Sequence, residues 1–141
     1  MIITVTPNTA LDRVIFIDRF NRGFPARTKR WVDCLGGKAL DTSVTLSCLG
    51  VPNIAMGFLA GKVGRDVVQI IEKYGFSHDM VWINGETRLS HVIVETDYHK
   101  HTHILIGDND ILPSQYEELL NRLRINLPSA DYVVTGGSLP S

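Results

Sequence analysis

The sequence predicts an α/β fold in which parallel strands alternate with helices. Short β-branched runs bounded by turn residues alternate with longer segments whose apolar residues recur at helical spacing. The chain has 141 residues, of which 44% are hydrophobic and 21% charged, a profile typical of one globular domain or of part of a larger one. Strand–helix–strand crossovers of this kind imply parallel strands with helices packed on the faces of the sheet.

The first third of the sequence is predicted to contain strands followed by one helix. Strand candidates lie at residues 2–6, 14–17 and 28–35. From Lys38 to Leu49 the apolar residues repeat every four positions, and Gly50 follows as a helix stop.

The remainder returns to the alternating pattern after one interruption. Strands are predicted at 54–59, 80–83, 89–96, 102–106 and after Pro128, with helices at 64–74 and 113–126. The stretches 89–96 and 102–106 are separated only by a polar segment, which indicates a hairpin instead of a crossover. With the strands at 14–17 and 28–35 they are predicted to form a small antiparallel sheet, spanning about 13–35 and 88–107, that projects from the α/β body.

Charge and cysteine content exclude several classes of function. A formal net charge of -1 and a pI near 6.5 provide no basic surface for nucleic acid or for an anionic membrane. No apolar run approaches the roughly 18 residues of a membrane span, and the N-terminus lacks a basic signal-peptide region. Cys34 and Cys48 have neither CxxC nor CxxH spacing, which favours free thiols. We therefore expect a cytoplasmic location, with neither nucleic acid nor membrane as a partner.

Gly36-Gly37-Lys38, at the start of the first predicted helix, is the strongest chemical signal. Glycines allow the backbone to approach a ligand closely, and the first helical amides lack internal partners and carry the positive end of the helix dipole. Lys38 adds a full positive charge. The stretch therefore predicts an anion site, although a tight turn with an exposed lysine would give the same three residues. It is not a Walker A loop, because the GxxxxGK[ST] spacing is absent.

Asp12 and Arg88 are weaker candidates when each is taken alone. The carboxylate of Asp12, just after the first strand, could accept hydrogen bonds from a polyol, or Arg13 could pair with it on the surface. Arg88 lies where the projecting sheet begins, so its guanidinium could bind a phosphate through two hydrogen bonds or could simply be solvated.

Three alternating histidines, His99, His101 and His103, suggest a metal site as an alternative to the anion site. In an extended segment all three would face one side, and two such imidazoles can bind zinc or copper. The run straddles a predicted hairpin turn, however, and contains no carboxylate or thiol to complete a tetrahedral set. A polar edge of the small sheet is the favoured interpretation, so no metal site is predicted.

Four short stretches occur in one collinear order along the chain. They are Thr4-Val5-Thr6-Pro7-Asn8-Thr9-Ala10-Leu11-Asp12, Leu35-Gly36-Gly37-Lys38, Gly85-Glu86-Thr87-Arg88 and Gly137-Ser138-Leu139-Pro140. In this order and spacing the chain resembles the PfkB, or ribokinase-like, family of carbohydrate kinases, most closely the branch that includes 1-phosphofructokinase and tagatose-6-phosphate kinase. Each motif alone is weak, but four in sequence are specific.

The resemblance implies a three-layer α/β/α fold with a projecting β lid that covers the sugar and often forms a dimer interface. It implies that Asp12 binds sugar hydroxyls, that Gly37 brings the backbone close to the substrate, and that Lys38 and Arg88 hold the phosphate already on the sugar. The full set of substrate-binding residues that it implies is Asp12, Gly36, Gly37, Lys38, Asp41, Arg88 and Ser138.

By the same resemblance, residues 1–141 correspond to the N-terminal half of such a kinase. The ATP site, the magnesium-associated acidic motif and the catalytic base would lie in a C-terminal half that is absent from the chain, so no catalytic, cofactor-binding or metal residue is assigned here. The complete parent would use ATP and Mg²⁺, and this chain alone is not expected to catalyse. An ending just past a predicted strand, which would then lie at an unpaired edge of the parent sheet, favours a fragment. The alternative is a stand-alone, non-catalytic module that binds sugar phosphates or dimerises.

Two residues just after Gly36-Gly37-Lys38 differ from the pattern that is usual in the family. Where the family usually has Gly-Gly-Lys-Gly followed one residue later by Asn, this chain has Ala39 and Asp41. Ala39 adds a methyl group that would narrow the pocket. An ionised Asp41 only accepts hydrogen bonds, which would weaken phosphate binding or shift sugar specificity; alternatively, its charge simply suits the helix N-terminus.

Overall fold

Two four-stranded sheets and three helices make up the computed structural model, which describes residues 1–107 and 109–140. The strands are β1 (Ile2–Thr6), β2 (Ala10–Ile17), β3 (Arg30–Gly36), β4 (Asn53–Leu59), β5 (Ser77–Trp82), β6 (Arg88–Glu95), β7 (Lys100–Ile104) and β8 (Tyr132–Thr135). The helices are α1 (Lys38–Cys48), α2 (Gly61–Tyr74) and α3 (Pro113–Asn126), followed by a short 3-10 turn at Leu127–Ser129.

The larger sheet is parallel and has helices on both faces. Its strand order is β5-β4-β1-β8. On one face the fully buried Ile3 and Phe58 pack with Leu119 of α3, and on the other Leu40 of α1 and Val67 of α2 pack in a second cluster. Because strand side chains alternate between faces, β4 contributes Phe58 to the first cluster and Leu59 to the second, and β5 likewise contributes Val81 and Met80. The predicted three-layer α/β/α body is confirmed.

The smaller sheet has the order β3-β2-β6-β7 and is mixed. Its outer pairs, β2 with β3 and β6 with β7, are antiparallel, which confirms the predicted hairpin. The central pair, β2 with β6, is parallel, so the prediction of a purely antiparallel sheet was wrong at this pair. The reason is that β2 follows β1 and β6 follows β5 after short loops. Both strands therefore leave the same edge of the body in the same direction.

Several elements begin earlier than their apolar patterns predict, and β2 and α2 show why. Strand β2 already starts at Ala10. Asp12 and Arg13, which look like loop residues in the sequence, belong to it, and their side chains point to opposite faces of the sheet. Helix α2 starts at Gly61, whose φ is +59°, and the backbone N–H of Val63 in its first turn donates to a Glu86 carboxylate oxygen at 2.5 Å. This carboxylate satisfies one of the amides that open a helix, which offsets the low helix propensity of glycine. Among the described helices none is both long and apolar enough to cross a membrane.

Candidate functional site

A cavity of about 260 Å³ lies where the carboxyl edge of the larger sheet meets the base of the smaller one. Ligands of open α/β sheets collect at this edge. Five of the seven predicted substrate-binding residues line the cavity: Asp12, Gly37, Lys38, Arg88 and Ser138. The other lining residues are Asn8, Ala10, Ser90, His103, Leu105 and Gly137.

Two glycine loops meet at the N-terminus of α1. Gly37, with φ +118°, immediately precedes the helix, and a Cβ added there would lie 2.4 Å from the Thr6 methyl carbon. From the other side Gly137, with φ +100°, lies beside the helix start, where an added Cβ would be in ordinary contact with the backbone nitrogen of Lys38, at 3.7 Å. The glycines thus leave space beside the first amides of α1, where the helix dipole favours an anion. Lys38 adds a full charge at the same place.

Asp12, the third residue of β2, lines this cavity. Gly36 lies against the Asp12 carboxylate, since a Cβ added at Gly36 would be 2.7 Å from Oδ1. Arg13 does not pair with Asp12: it donates from Nε and Nη2 to the two carboxylate oxygens of Asp33, at 2.7 and 2.8 Å. Arg13 and Asp33 are neighbours in the antiparallel β2–β3 register, so the neighbouring strand occupies the arginine and leaves Asp12 facing the cavity.

Arg88 enters the cavity from the first residue of β6. Its Nη2 donates to the backbone oxygen of Asn8 at 3.2 Å. Its Nε is buried and has no hydrogen-bond partner among the described residues. The preceding residue, Thr87, is 1% exposed and is held by two hydrogen bonds to Ala60: Ala60 N–H donates to Thr87 Oγ1 at 2.8 Å, and Thr87 N–H donates to Ala60 O at 3.1 Å. The body therefore fixes the base of Arg88 and leaves a donor for an anionic ligand.

Ser138 and Asn8 connect the loops that follow β8 and β1. Asn8 Nδ2 donates to Ser138 Oγ at 3.0 Å. Sequence reasoning included Asn8 in a motif but gave it no role. The relevant signal was its position two residues after the buried strand β1, at the carboxyl edge where sites form.

Asp41 and Ala39 lie outside the cavity lining. Ala39 is 1% exposed and packs into the protein, so its methyl group does not narrow the described cavity. Asp41 has an exposed side chain, and its pKa is raised mainly by desolvation; the charge of Lys38 lowers it and the charge of Asp12 raises it again. Asp41 thus interacts electrostatically with Lys38 and Asp12 but does not line the cavity. Its role in substrate binding stays a prediction.

The histidine run is divided by the hairpin turn. His99 lies in the turn with φ +51°, while His101 and His103 belong to β7 with ring centroids 5.2 Å apart. In the part of the chain that the structure describes, no group of three or more histidine, cysteine or acidic side chains is arranged to hold a metal ion. His103 instead lines the cavity, a placement that the sequence did not predict.

The cavity therefore combines two cations, Lys38 and Arg88, with one carboxylate, Asp12. Cations and helix amides attract an anionic group such as a phosphate, and an ionised carboxylate accepts hydrogen bonds from hydroxyl groups. A small molecule that carries both a phosphate and several hydroxyls satisfies both requirements at once.

Comparisons with known proteins agree with this chemistry. Residues 6–141 match the model of the pfkB family of carbohydrate kinases. The chain is 33% identical to a 1-phosphofructokinase of Haloferax volcanii over 99% of its own length and 45% of that protein. It is 32% identical to a tagatose-6-phosphate kinase of Staphylococcus epidermidis over 99% of its length and 44% of that protein. A crystal structure of a possible 1-phosphofructokinase from Thermotoga maritima superposes with a TM-score of 0.93 at 33% identity, over 99% of this chain and 45% of that one. The chain thus spans less than half the length of these relatives.

Proposed function

The chain belongs to the pfkB family of carbohydrate kinases, and from that premise we propose that it supplies the sugar-phosphate-binding half of an ATP-dependent kinase. The observation that supports this proposal is the gathering of Lys38, Arg88 and Asp12 around one cavity. These residues come from three separate elements, so their convergence is a property of the fold and not of neighbouring sequence.

The proposed substrate is a phosphorylated ketose of the fructose 1-phosphate or tagatose 6-phosphate type. Lys38, the first amides of α1 and Arg88 would hold the existing phosphate, while Asp12 would bind sugar hydroxyls. A charge-assisted hydrogen bond contributes roughly 1.5–3 kcal/mol, so loss of one phosphate ligand should weaken binding by about tenfold or more. The names of the relatives support the substrate class.

ATP and Mg²⁺ are proposed to bind to the second half of the complete kinase. The described residues contain no acidic cluster for a metal, and the glycine loop at α1 lacks the Walker A spacing. ATP would supply the transferred phosphoryl group. Because phosphoryl transfer depends on positioning both substrates and on neutralising charge, we propose that the 141-residue chain binds sugar phosphate without transferring phosphate.

Calorimetric titration of the purified chain tests the binding role. Fructose 1-phosphate and tagatose 6-phosphate should bind, and Lys38→Ala and Arg88→Ala should each weaken binding about tenfold or more. Lys73→Ala and Arg65→Ala remove matched charges from exposed positions on α2 and should leave binding unchanged. Equal losses in the site variants and the α2 variants would contradict the assignment, as would a chain that binds neither sugar phosphate. If the chain released ADP when supplied with ATP and either sugar phosphate, the proposal that the chain alone does not transfer phosphate would be contradicted.

We also propose that the smaller sheet forms a homodimer interface and that the protein acts in the cytoplasm. Large apolar side chains lie exposed in and near this sheet: Phe24 is 75%, Trp31 57% and Val32 48% exposed. Sedimentation velocity would show a dimer that Val32→Asp converts to monomer; an unaltered chain that stays monomeric at high micromolar concentration would contradict the interface. Both cysteines are free, which fits a reducing compartment.

A further inference from the structure

Ser90, a buried residue of the cavity wall, carries a polar atom without a partner among the described residues. It lies on β6, two residues after Arg88 and hence on the same face of the strand. The residue is 1% exposed, it lines the cavity, and its Oγ has no hydrogen-bond partner among the described residues.

Two buried hydroxyls, those of Thr6 and Ser90, lack a partner among the described residues, and of these two residues Ser90 lines the cavity. Other buried hydroxyls are paired. Thr87, on the same strand connection, accepts from Ala60 N–H at 2.8 Å, and Thr4 and Ser43 lie 2.6 Å apart, oxygen to oxygen. A buried hydroxyl without a partner destabilises the folded state, because it has lost its hydrogen bonds to water. Such a cost at a cavity wall is explained when a ligand supplies the partner.

Asp12 and Ser90 are aligned across the two central strands of the smaller sheet. They are direct partners in the parallel β2–β6 register, so their backbones are separated by about 4.8 Å, the usual spacing between strands. The preceding pair on the same face is Ala10 and Arg88. On this face of the smaller sheet Arg88 therefore lies nearest the body, and the Asp12 carboxylate and the Ser90 hydroxyl follow side by side two residues farther along the strands.

We propose that Ser90 binds the sugar part of the substrate by donating a hydrogen bond to the sugar hydroxyl that Asp12 binds. A sugar hydroxyl has one proton to donate and two lone pairs that can accept. An ionised Asp12 carboxylate can accept only the proton, which leaves the lone pairs of the hydroxyl for a donor, and Ser90, the register partner of Asp12, carries an O–H. Lys38 and Arg88 carry the charge that a phosphate needs, which leaves Ser90 for the hydroxyl. This inference rests on the proposed function.

Ser90→Ala in the purified chain tests the inference, with binding and thermal unfolding measured on the same samples. Loss of a neutral hydrogen bond should weaken binding of fructose 1-phosphate and tagatose 6-phosphate by roughly threefold to tenfold. The dissociation constant for inorganic phosphate, which probes the phosphate subsite alone, should not change. The melting temperature should stay the same or rise by a few degrees, because alanine has no hydroxyl to leave unpaired.

Two further variants control for packing and for general effects. Ser90→Cys keeps the side-chain volume but offers a weak donor, so its sugar-phosphate affinity should fall with that of Ser90→Ala. Ser77→Ala alters an exposed serine at the opposite, amino edge of the larger sheet and should bind like the unaltered chain.

The outcomes separate this inference from the proposed function. If the unaltered chain binds sugar phosphate and both Ser90 variants bind it equally well, Ser90 is not a ligand, and the proposed function stands. If inorganic phosphate binding falls in parallel, Ser90 contacts the phosphate and the assignment to a hydroxyl is overturned. Failure of the unaltered chain to bind any of these probes would refute the proposed function and this inference with it.

Discussion

Replacement of Gly37 by alanine should destabilise the chain strongly, because two separate costs fall on one methyl group. The backbone at Gly37 has φ +118° and ψ +129°, a conformation that L-residues rarely adopt, and such strain costs about 1–3 kcal/mol. The new Cβ would also lie 2.4 Å from the methyl carbon of Thr6. Thr6 is 2% exposed and β-branched, so it cannot rotate away freely, and the overlap costs about 1–3 kcal/mol more.

The combined loss of about 2–6 kcal/mol is large beside the 5–15 kcal/mol of a typical domain. Urea unfolding followed by circular dichroism measures it as a lower midpoint with an unchanged slope. Gly50→Ala is the matched control: Gly50 also has a positive φ, +71°, but nothing lies within 4 Å of its added Cβ, so only a strain of about 1–2 kcal/mol applies. Equal midpoint shifts in the two variants would refute the argument that the approach to Thr6 is tight.

Two further predictions separate substrate binding from stability and test the ion pair beside the site. Gly36→Ala places a Cβ 2.7 Å from Asp12 Oδ1, the movable end of a side chain, so the carboxylate should shift. We expect the free energy of unfolding to change by less than about 1 kcal/mol but sugar-phosphate binding to weaken roughly tenfold. An unchanged affinity in calorimetry would contradict this prediction. The Arg13 hydrogen bond lowers the pKa of Asp33 below its ordinary 3.8, against a desolvation that raises it. The pair therefore stabilises the fold above about pH 4 and loses this effect as pH falls through the lower, folded-state pKa. With side chains 36% and 31% exposed, the effect should stay below about 1 kcal/mol. Urea unfolding should show Asp33→Asn less stable at pH 7, with the difference in unfolding free energy shrinking as the pH falls below about 4, and a constant difference would exclude a charge effect.

The sequence predicted the body of the fold because apolar periodicity determines it directly. Strands such as Ile2–Thr6 and helix Pro113–Asn126 have the predicted limits. The parallel pairing of β2 with β6 was missed because these strands lie far apart in the sequence. Their pairing depends on the direction in which each strand leaves the body, and no local pattern encodes that direction. The same limit applies to Ser90 and His103, which join the cavity only through the register of the smaller sheet.

The register of the smaller sheet also bears on how the proposed site would select both a phosphate and a sugar. Arg88 and Asp12 belong to strands that pair directly, so the distance between these two proposed ligands, of the phosphate and of a hydroxyl, is set by sheet geometry and not by loop conformation. Thr87 holds this sheet to the body through Ala60, immediately before Arg88. Lys38, in contrast, belongs to the body, at the start of α1. A sugar phosphate bound between Lys38 and the Arg88–Asp12 pair would therefore bridge the two sheets, and its affinity would depend on how rigidly the Thr87 contact fixes one to the other.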